Sequence, residues 1–155
     1  MKSSVNCLLI LIVALFMFGA TSCASDAIDD TPSSVSGFIT QYFPNVRVKS
    51  WTPIADGGHK AVLENSATIV FDKENKWIDI DGEGVTLPEV LIYDQLPPSL
   101  YSFLQATEQQ RGVYAVTRDN FYYKLRMLDT VLTYTIATEA ITYPGEMPEG
   151  DKASE

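Results

Sequence analysis

Residues 121–136 read Phe-Tyr-Tyr-Lys-Leu-Arg-Met-Leu-Asp-Thr-Val-Leu-Thr-Tyr-Thr-Ile. In an extended chain successive side chains point to opposite faces, so Phe121, Tyr123, Leu125 and Met127 share one side, and Tyr122, Lys124 and Arg126 share the other. After Leu128-Asp129-Thr130 the alternation resumes, with Leu132, Tyr134 and Ile136 set against Thr133 and Thr135. A break this short joins antiparallel neighbours. The stretch therefore predicts a hairpin with one apolar face and one wet face, and the apolar face needs a cover.

The cover is found upstream. Val35, Phe38, Ile39 and Tyr42 recur at i, i+3, i+4 and i+7, the apolar stripe of a helix, with Thr31 available as N-cap, Pro32 at the first turn and Pro44 at the end. Leu100, Phe103 and Leu104 repeat the stripe after Pro97-Pro98. Further β-type runs cover about Val46–Trp51, His59–Leu63, Thr68–Asp72, Trp77–Asp81 and Val113–Arg118, beside Phe121–Leu128 and Val131–Thr138. Pro32, Ser34, Val35, Phe38 and Ile39 align with Pro97, Ser99, Leu100, Phe103 and Leu104 at one offset, and Val62, Ile69 and Phe71 align with Leu125, Leu132 and Tyr134 after a two-residue shift. An internal duplication is the economical explanation. The expected fold is α+β: two α-β-β-β repeats, about 32–84 and 97–140, forming an antiparallel sheet with two helices packed on one face.

The N-terminus bounds the compartment. Lys2 is followed by an apolar run from Leu8 to Phe18, then by Gly19, Ala20, Thr21 and Ser22, the form of a secretory signal peptide. A membrane-spanning helix needs about 20 apolar residues, and this run falls short before Asp26, Asp29 and Asp30. Ala20-Thr21-Ser22-Cys23 resembles the bacterial lipoprotein signal, in which the cysteine is acylated and becomes the new N-terminus. Ordinary secretion with a free Cys23 thiol is the alternative. The organisation expected is a signal peptide over 1–22, an acidic tether over 23–31, one domain over 32–143 and a disordered tail over 144–155.

Cleavage would remove Cys7, and lipidation would consume Cys23, leaving no thiol for a disulfide or a metal. Losing Lys2 from the 11 basic residues leaves ten against 20 acidic ones, a net charge of about −10, which makes nucleic acid and anionic headgroups poor partners. Acidic residues soon after Cys23 resemble the surface-export tethers of Bacteroides-type lipoproteins, and Ala24 is not the aspartate that retains some lipoproteins in the inner membrane. Outer-membrane attachment through the lipid, on the periplasmic or cell-surface side, is expected.

The residues also carry a family pattern: Phe38-Ile39 and Tyr42-Phe43-Pro44, the hairpin His59-Lys60-Ala61-Val62-Leu63-Glu64-Asn65, Phe71-Asp72-Lys73, Trp77, Asp81-Gly82, Leu87-Pro88 and Leu96-Pro97. This resembles the PepSY-like, β-lactamase-inhibitor-like family over about residues 32–140, more strongly in the first half than in the second. Ser66 stands where a glycine often follows the hairpin asparagine, and Lys73-Glu74-Asn75 has no glycine. The resemblance implies two α-β-β-β units and the binding of a protein or peptide outside the cytoplasm. It carries no catalytic residues.

Chemistry-bearing residues are few. His59 is the sole histidine, and the chain has no G-x-S-x-G elbow, so no Ser-His-Asp arrangement is predicted. Asp79, Asp81 and Glu83 alternate ahead of Gly84 as at the start of a calcium loop, but the twelfth position is Val90 and Pro88 interrupts, so a solvated strand-to-turn exit is expected. Trp77 is expected to close one end of the apolar layer. The linker Leu87, Pro88, Val90, Leu91, Ile92 and Tyr93 is expected to pack across the repeat junction. Tyr122, Lys124 and Arg126, an aromatic beside two cations on the wet face, are the candidate contact patch. The expected function is a non-enzymatic, lipid-anchored binding module without cofactor or metal, recognising an envelope protein or peptide; the alternative is a structural or assembly lipoprotein.

Overall fold

The computed structural model describes residues 31–145; the expectations for the signal peptide, Cys23, the tether and residues 146–155 lie outside the described residues. The elements run α1 (Ser33–Tyr42), β1 (Val48–Pro53), β2 (His59–Leu63), β3 (Thr68–Phe71), β4 (Trp77–Asp81), α2 (Glu89–Gln95), α3 (Pro98–Ala106), β5 (Val113–Arg118), β6 (Tyr122–Met127), β7 (Val131–Thr135) and β8 (Ala140–Thr142). The eight strands form one open sheet in the order β1 to β8, every neighbour antiparallel.

The α+β class and the antiparallel sheet are as expected, and each half carries a fourth strand. In the second half this is β8 (Ala140–Thr142), which begins after the expected run Val131–Thr138 and was not expected, while that run itself ends at Thr135. Thr138 belongs instead to the turn before β8, where Glu139 takes φ 56°. Strand β1 starts at Val48, two residues later than expected, and runs on to Pro53 with a bulge between Val48 and Ser50. A proline and a bulge suit an edge strand, which has a free hydrogen-bonding side.

Both long helices open on a proline. Pro32 and Pro97 occupy the N-cap positions, and their carbonyls accept from Ser36 and Tyr101 at 3.0 Å each. Thr31 does not cap α1: no side-chain cap bond is present, and its hydroxyl is buried without a partner among the described residues. The proline ring fixes φ near the helical value at Pro32 and Pro97 (−55° and −53°), and ψ is extended at both (143° and 140°), which at Pro97 is also what a following proline favours. The apolar linker is not irregular: its centre is helix α2, which buries Leu91 and Ile92 and leaves Val90 and Tyr93 exposed.

One core lies between the helices and one sheet face. Val35 and Ile39 of α1, Leu91 and Ile92 of α2, and Leu100 and Leu104 of α3 meet Ile69, Phe71, Ile80, Val116, Leu125 and Leu132. Each fully buried aliphatic chain of this kind stabilises the fold by about 1.5–3 kcal/mol. The helical part of the duplication is equivalent in burial, since Val35 matches Leu100 and Ile39 matches Leu104. The strand alignment holds at Ile69 with Leu132 and at Phe71 with Tyr134, all buried, but not at Val62 with Leu125. Leu125 pairs with Leu132 as Ala61 pairs with Ile69, so Ala61 is its counterpart and Val62 is on the other face. A one-residue slip in a strand exchanges faces. Phe121 and Ile136 likewise fall just outside β6 and β7 and are exposed rather than core.

Candidate functional site

The face of the sheet opposite the helices carries two rows of side chains. One runs Thr52, Lys60, Val70, Asp79, Thr117, Lys124, Thr133 and Thr142; the other runs Ser50, Val62, Thr68, Asp81, Ala115, Arg126 and Val131. Tyr122 is one step along β6 from Lys124, opposite Thr135. The expected trio Tyr122, Lys124 and Arg126 is therefore one exposed stripe on this face.

Two motifs read separately in the sequence meet here. The Arg126 Nη2 group donates to both carboxylate oxygens of Asp81 at 2.6 Å, reaching from β6 to β4 across β5. Two strand spacings amount to about 10 Å, which an arginine and an aspartate span when the intervening residue is short. That residue is Ala115, paired with both. Asp79 accepts a 2.6 Å hydrogen bond from the Thr117 hydroxyl in the neighbouring row. Asp81 also accepts from the Glu83 backbone amide at 2.8 Å, tightening the turn that leaves β4. Two of the three carboxylates of the calcium-like motif, Asp79 and Asp81, are thus committed to cross-strand partners and to a turn. No group of three or more His, Cys, Asp or Glu side chains among the described residues could hold a metal ion.

The consequence for the trio is a division of roles. Arg126 ties the two repeats together, because Asp81 ends the first and Arg126 lies in the second. Lys124 forms no ion pair among the described residues, and it sits between Thr117 and Thr133 with Tyr122 beside it. Tyr122 is 40 % exposed and contacts only Phe121 by ring packing. Asp119, at the turn into β6, accepts from the amides of Phe121 and Tyr122 at 2.7 and 2.8 Å. These bonds, and then Lys124, hold its carboxyl below the ordinary aspartate value.

His59 lies elsewhere, half-buried in β2 and stacked on Trp51 with ring centroids 4.6 Å apart and planes within 3°. It is a packing residue of the core-side edge. Trp77 is buried and does close one end of the apolar layer, donating to Gln95 Oε1 at 2.7 Å. Gln95 donates in turn to the Tyr42 hydroxyl at 2.6 Å, and that hydroxyl donates to Asp94 at 3.3 Å. Residues Tyr42, Trp77 and Gln95 were not joined by sequence reasoning, since they come from three elements with no common spacing.

No family model matches the chain, and no curated protein matches it in sequence. Solved structures do match. A protein from Bacteroides thetaiotaomicron named as a calcium-regulated periplasmic protein superposes with a TM-score of 0.62 at 18% identity, covering 74% of this chain and 92% of that one. A periplasmic protein of the DUF2874 family from Bacteroides vulgatus gives 0.64 at 15% identity, with 77% and 96% covered. A second Bacteroides vulgatus periplasmic protein of unknown function gives 0.62 at 12%, with 76% and 96% covered. The likeness is one of fold. It extends over nearly the whole of those chains. Among the described residues no helix is long and apolar enough to cross a membrane.

Proposed function

We propose that this chain is a lipid-anchored extracytoplasmic binding module of the PepSY-like kind, which holds an envelope protein or peptide on the open face of its sheet. The observation that carries the reading is the unequal use of the two sheet faces. One is covered by all three helices, whereas the other presents Tyr122 and Lys124 among threonines and valines, in rows that also hold Lys60, Asp79 and the Arg126–Asp81 pair; Lys124 is in no ion pair among the described residues. A two-sided antiparallel sheet can leave one face to solvent, and an exposed aromatic beside a cation that is in no ion pair among the described residues is a surface suited to an acidic or carbonyl-rich partner. The periplasmic naming of the structural neighbours and the signal-like segment ending at Cys23 support the same compartment. The role is binding rather than catalysis.

Crosslinking in cells, followed by pull-down, tests this with the wild-type chain, Cys23→Ala, the Tyr122/Lys124/Arg126 triple alanine variant and a Tyr122→Ala/Lys124→Glu double variant. The double variant leaves the Arg126–Asp81 bridge in place and separates recognition from stability. We expect one stoichiometric partner, lost in both face variants. Retention of the partner in the double variant removes the open face from the reading, and absence of any partner favours a structural or assembly lipoprotein. Labelling with a palmitate analogue that disappears in Cys23→Ala is the expected sign of the anchor.

A further inference from the structure

The helix side of the same strands, one rung from Lys124, holds a second arrangement with ligand chemistry. Arg118, the last residue of β5, lies flat against Trp77, with its guanidinium carbon 3.8 Å from the ring centroid. Its Nε group donates to the Trp77 carbonyl at 2.8 Å. Stacking and one hydrogen bond fix the guanidinium plane, yet no carboxylate among the described residues is within ion-pair distance of it, and its two terminal nitrogens have no hydrogen-bond partner there. Every other arginine among the described residues is in an ion pair: Arg47 with Glu64, Arg111 with Glu89 and Arg126 with Asp81.

Arg118 faces a cleft of about 290 Å³ beyond the end of the helical layer, walled by Trp77, Ile78 and Tyr123 and rimmed by Asp72, Asp119 and Asn120. Lys76 also lines it, but its ammonium is engaged by Glu74 at 2.8 Å. Asp72 and Asp119 each use one carboxylate oxygen to receive two backbone amides, which fixes them as turn residues. Their charge still faces the cleft. A planar guanidinium with two parallel N–H donors matches a carboxylate, and two flanking aspartates disfavour a dianion such as phosphate. The aromatic and aliphatic walls suit an apolar flank next to that carboxylate.

We infer that the Trp77–Arg118–Tyr123 cleft is a binding site for a monocarboxylate with an apolar flank, of which the C-terminal residue of a peptide is the fitting case. The site lies on the helix side of the sheet, across β5 and β6 from the open face that carries Lys124, and its ligand-binding group is Arg118 rather than Lys124.

The two tryptophans make it measurable: in the full chain carrying Trp51→Phe, kept in non-ionic detergent, emission comes from Trp77 alone. An N-acetylated tripeptide ending in leucine is titrated with a free C-terminus and, separately, as its C-terminal amide, with inorganic phosphate as a third probe. The expected result is a saturable change in Trp77 emission with the free acid, weakened about tenfold or more in the amide and in Arg118→Lys. Equal response to acid and amide, no saturation by the acid up to about 10 mM, or tighter binding of phosphate overturns the inference. The comparison of acid with amide uses unchanged Arg118, so it stands even if Arg118→Lys loosens the fold.

Discussion

Ser66 shows how much one backbone angle determines. It occupies φ 74° in the β2–β3 turn, donating its amide to the Leu63 carbonyl at 3.0 Å, while Ala67 donates to the Asn65 side chain at 3.2 Å. A left-handed conformation disfavours any residue with a Cβ, and Asn75, at φ 62° in the β3–β4 turn, is a residue type that tolerates it better. Glycine alone would take the φ of Ser66 without a steric cost. Ser66→Gly should raise stability by about 0.5–1 kcal/mol, read as a shift of about 3–6 °C in thermal unfolding. Gly58 is the converse case. A Cβ there would run into the Phe71 carbonyl oxygen, so its place beside His59 is set by close approach of β3 and not by flexibility. At Asp119 the lowered pKa has a definite sign. Because the folded value lies below the ordinary 3.8, the stabilising contribution is complete above that value and disappears as pH falls through the folded one. An NMR titration of the Asp119 carboxyl should show its midpoint below 3.8, moving up in Lys124→Ala because Lys124 is among its causes.

At the scale of the elements, α2 buries Leu91 and Ile92 and is also held by a polar chain. Trp77 of β4, Gln95 of α2 and Tyr42 of α1 are connected by bonds of 2.7 and 2.6 Å, with Asp94 accepting from Tyr42 at 3.3 Å. A partly buried network is stabilising only when each member is satisfied. Gln95→Leu would leave the Trp77 indole N–H without its acceptor, and it should cost about 2 kcal/mol in chemical denaturation. Tyr42 reports on the same network. Burial holds its phenol above the ordinary 10.0, the Gln95 bond lowers it, and the Asp94 charge and its hydrogen bond raise it. Its stabilising share is present below pH 10.0 and lost as pH rises through the folded value. Ultraviolet titration should find the Tyr42 midpoint higher still in Gln95→Leu, since the bond that lowers it is gone.

At the scale of the whole molecule, the two repeats are joined at β4 and β5, where the ladder runs from Asp79 with Thr117 to Asp81 with Ala115. The core crosses this junction through Ile80 and Val116, and the Asp81–Arg126 bridge crosses it on the other face. Leu125→Ala, at a site with 0% exposure, should cost about 2–5 kcal/mol, whereas Val62→Ala on the open face should cost about 1 kcal/mol or less. The pair of measurements checks the register directly, because the duplication read from sequence alone would make the two positions equivalent. Equal losses would show that the Ala61–Leu125 correspondence is wrong.

Local periodicity in the sequence was enough for the helices at Val35–Tyr42 and Leu100–Leu104, for most of the strands, and for the stripe Tyr122, Lys124 and Arg126, because alternation and i, i+3, i+4 spacing are properties of neighbouring residues. It also determined the antiparallel class, since short turns permit little else. The three-residue β8 was beyond its reach, because a strand that short is formed by its partner β7 and not by its own pattern. So were the Asp81–Arg126 bridge and the Trp77–Arg118 stack, whose members are 45 and 41 positions apart and meet only after β4, β5 and β6 have paired. Register across the sheet selects which charges neutralise one another, leaving Arg118 and Lys124 unpaired among the described residues, and that selection is made in three dimensions.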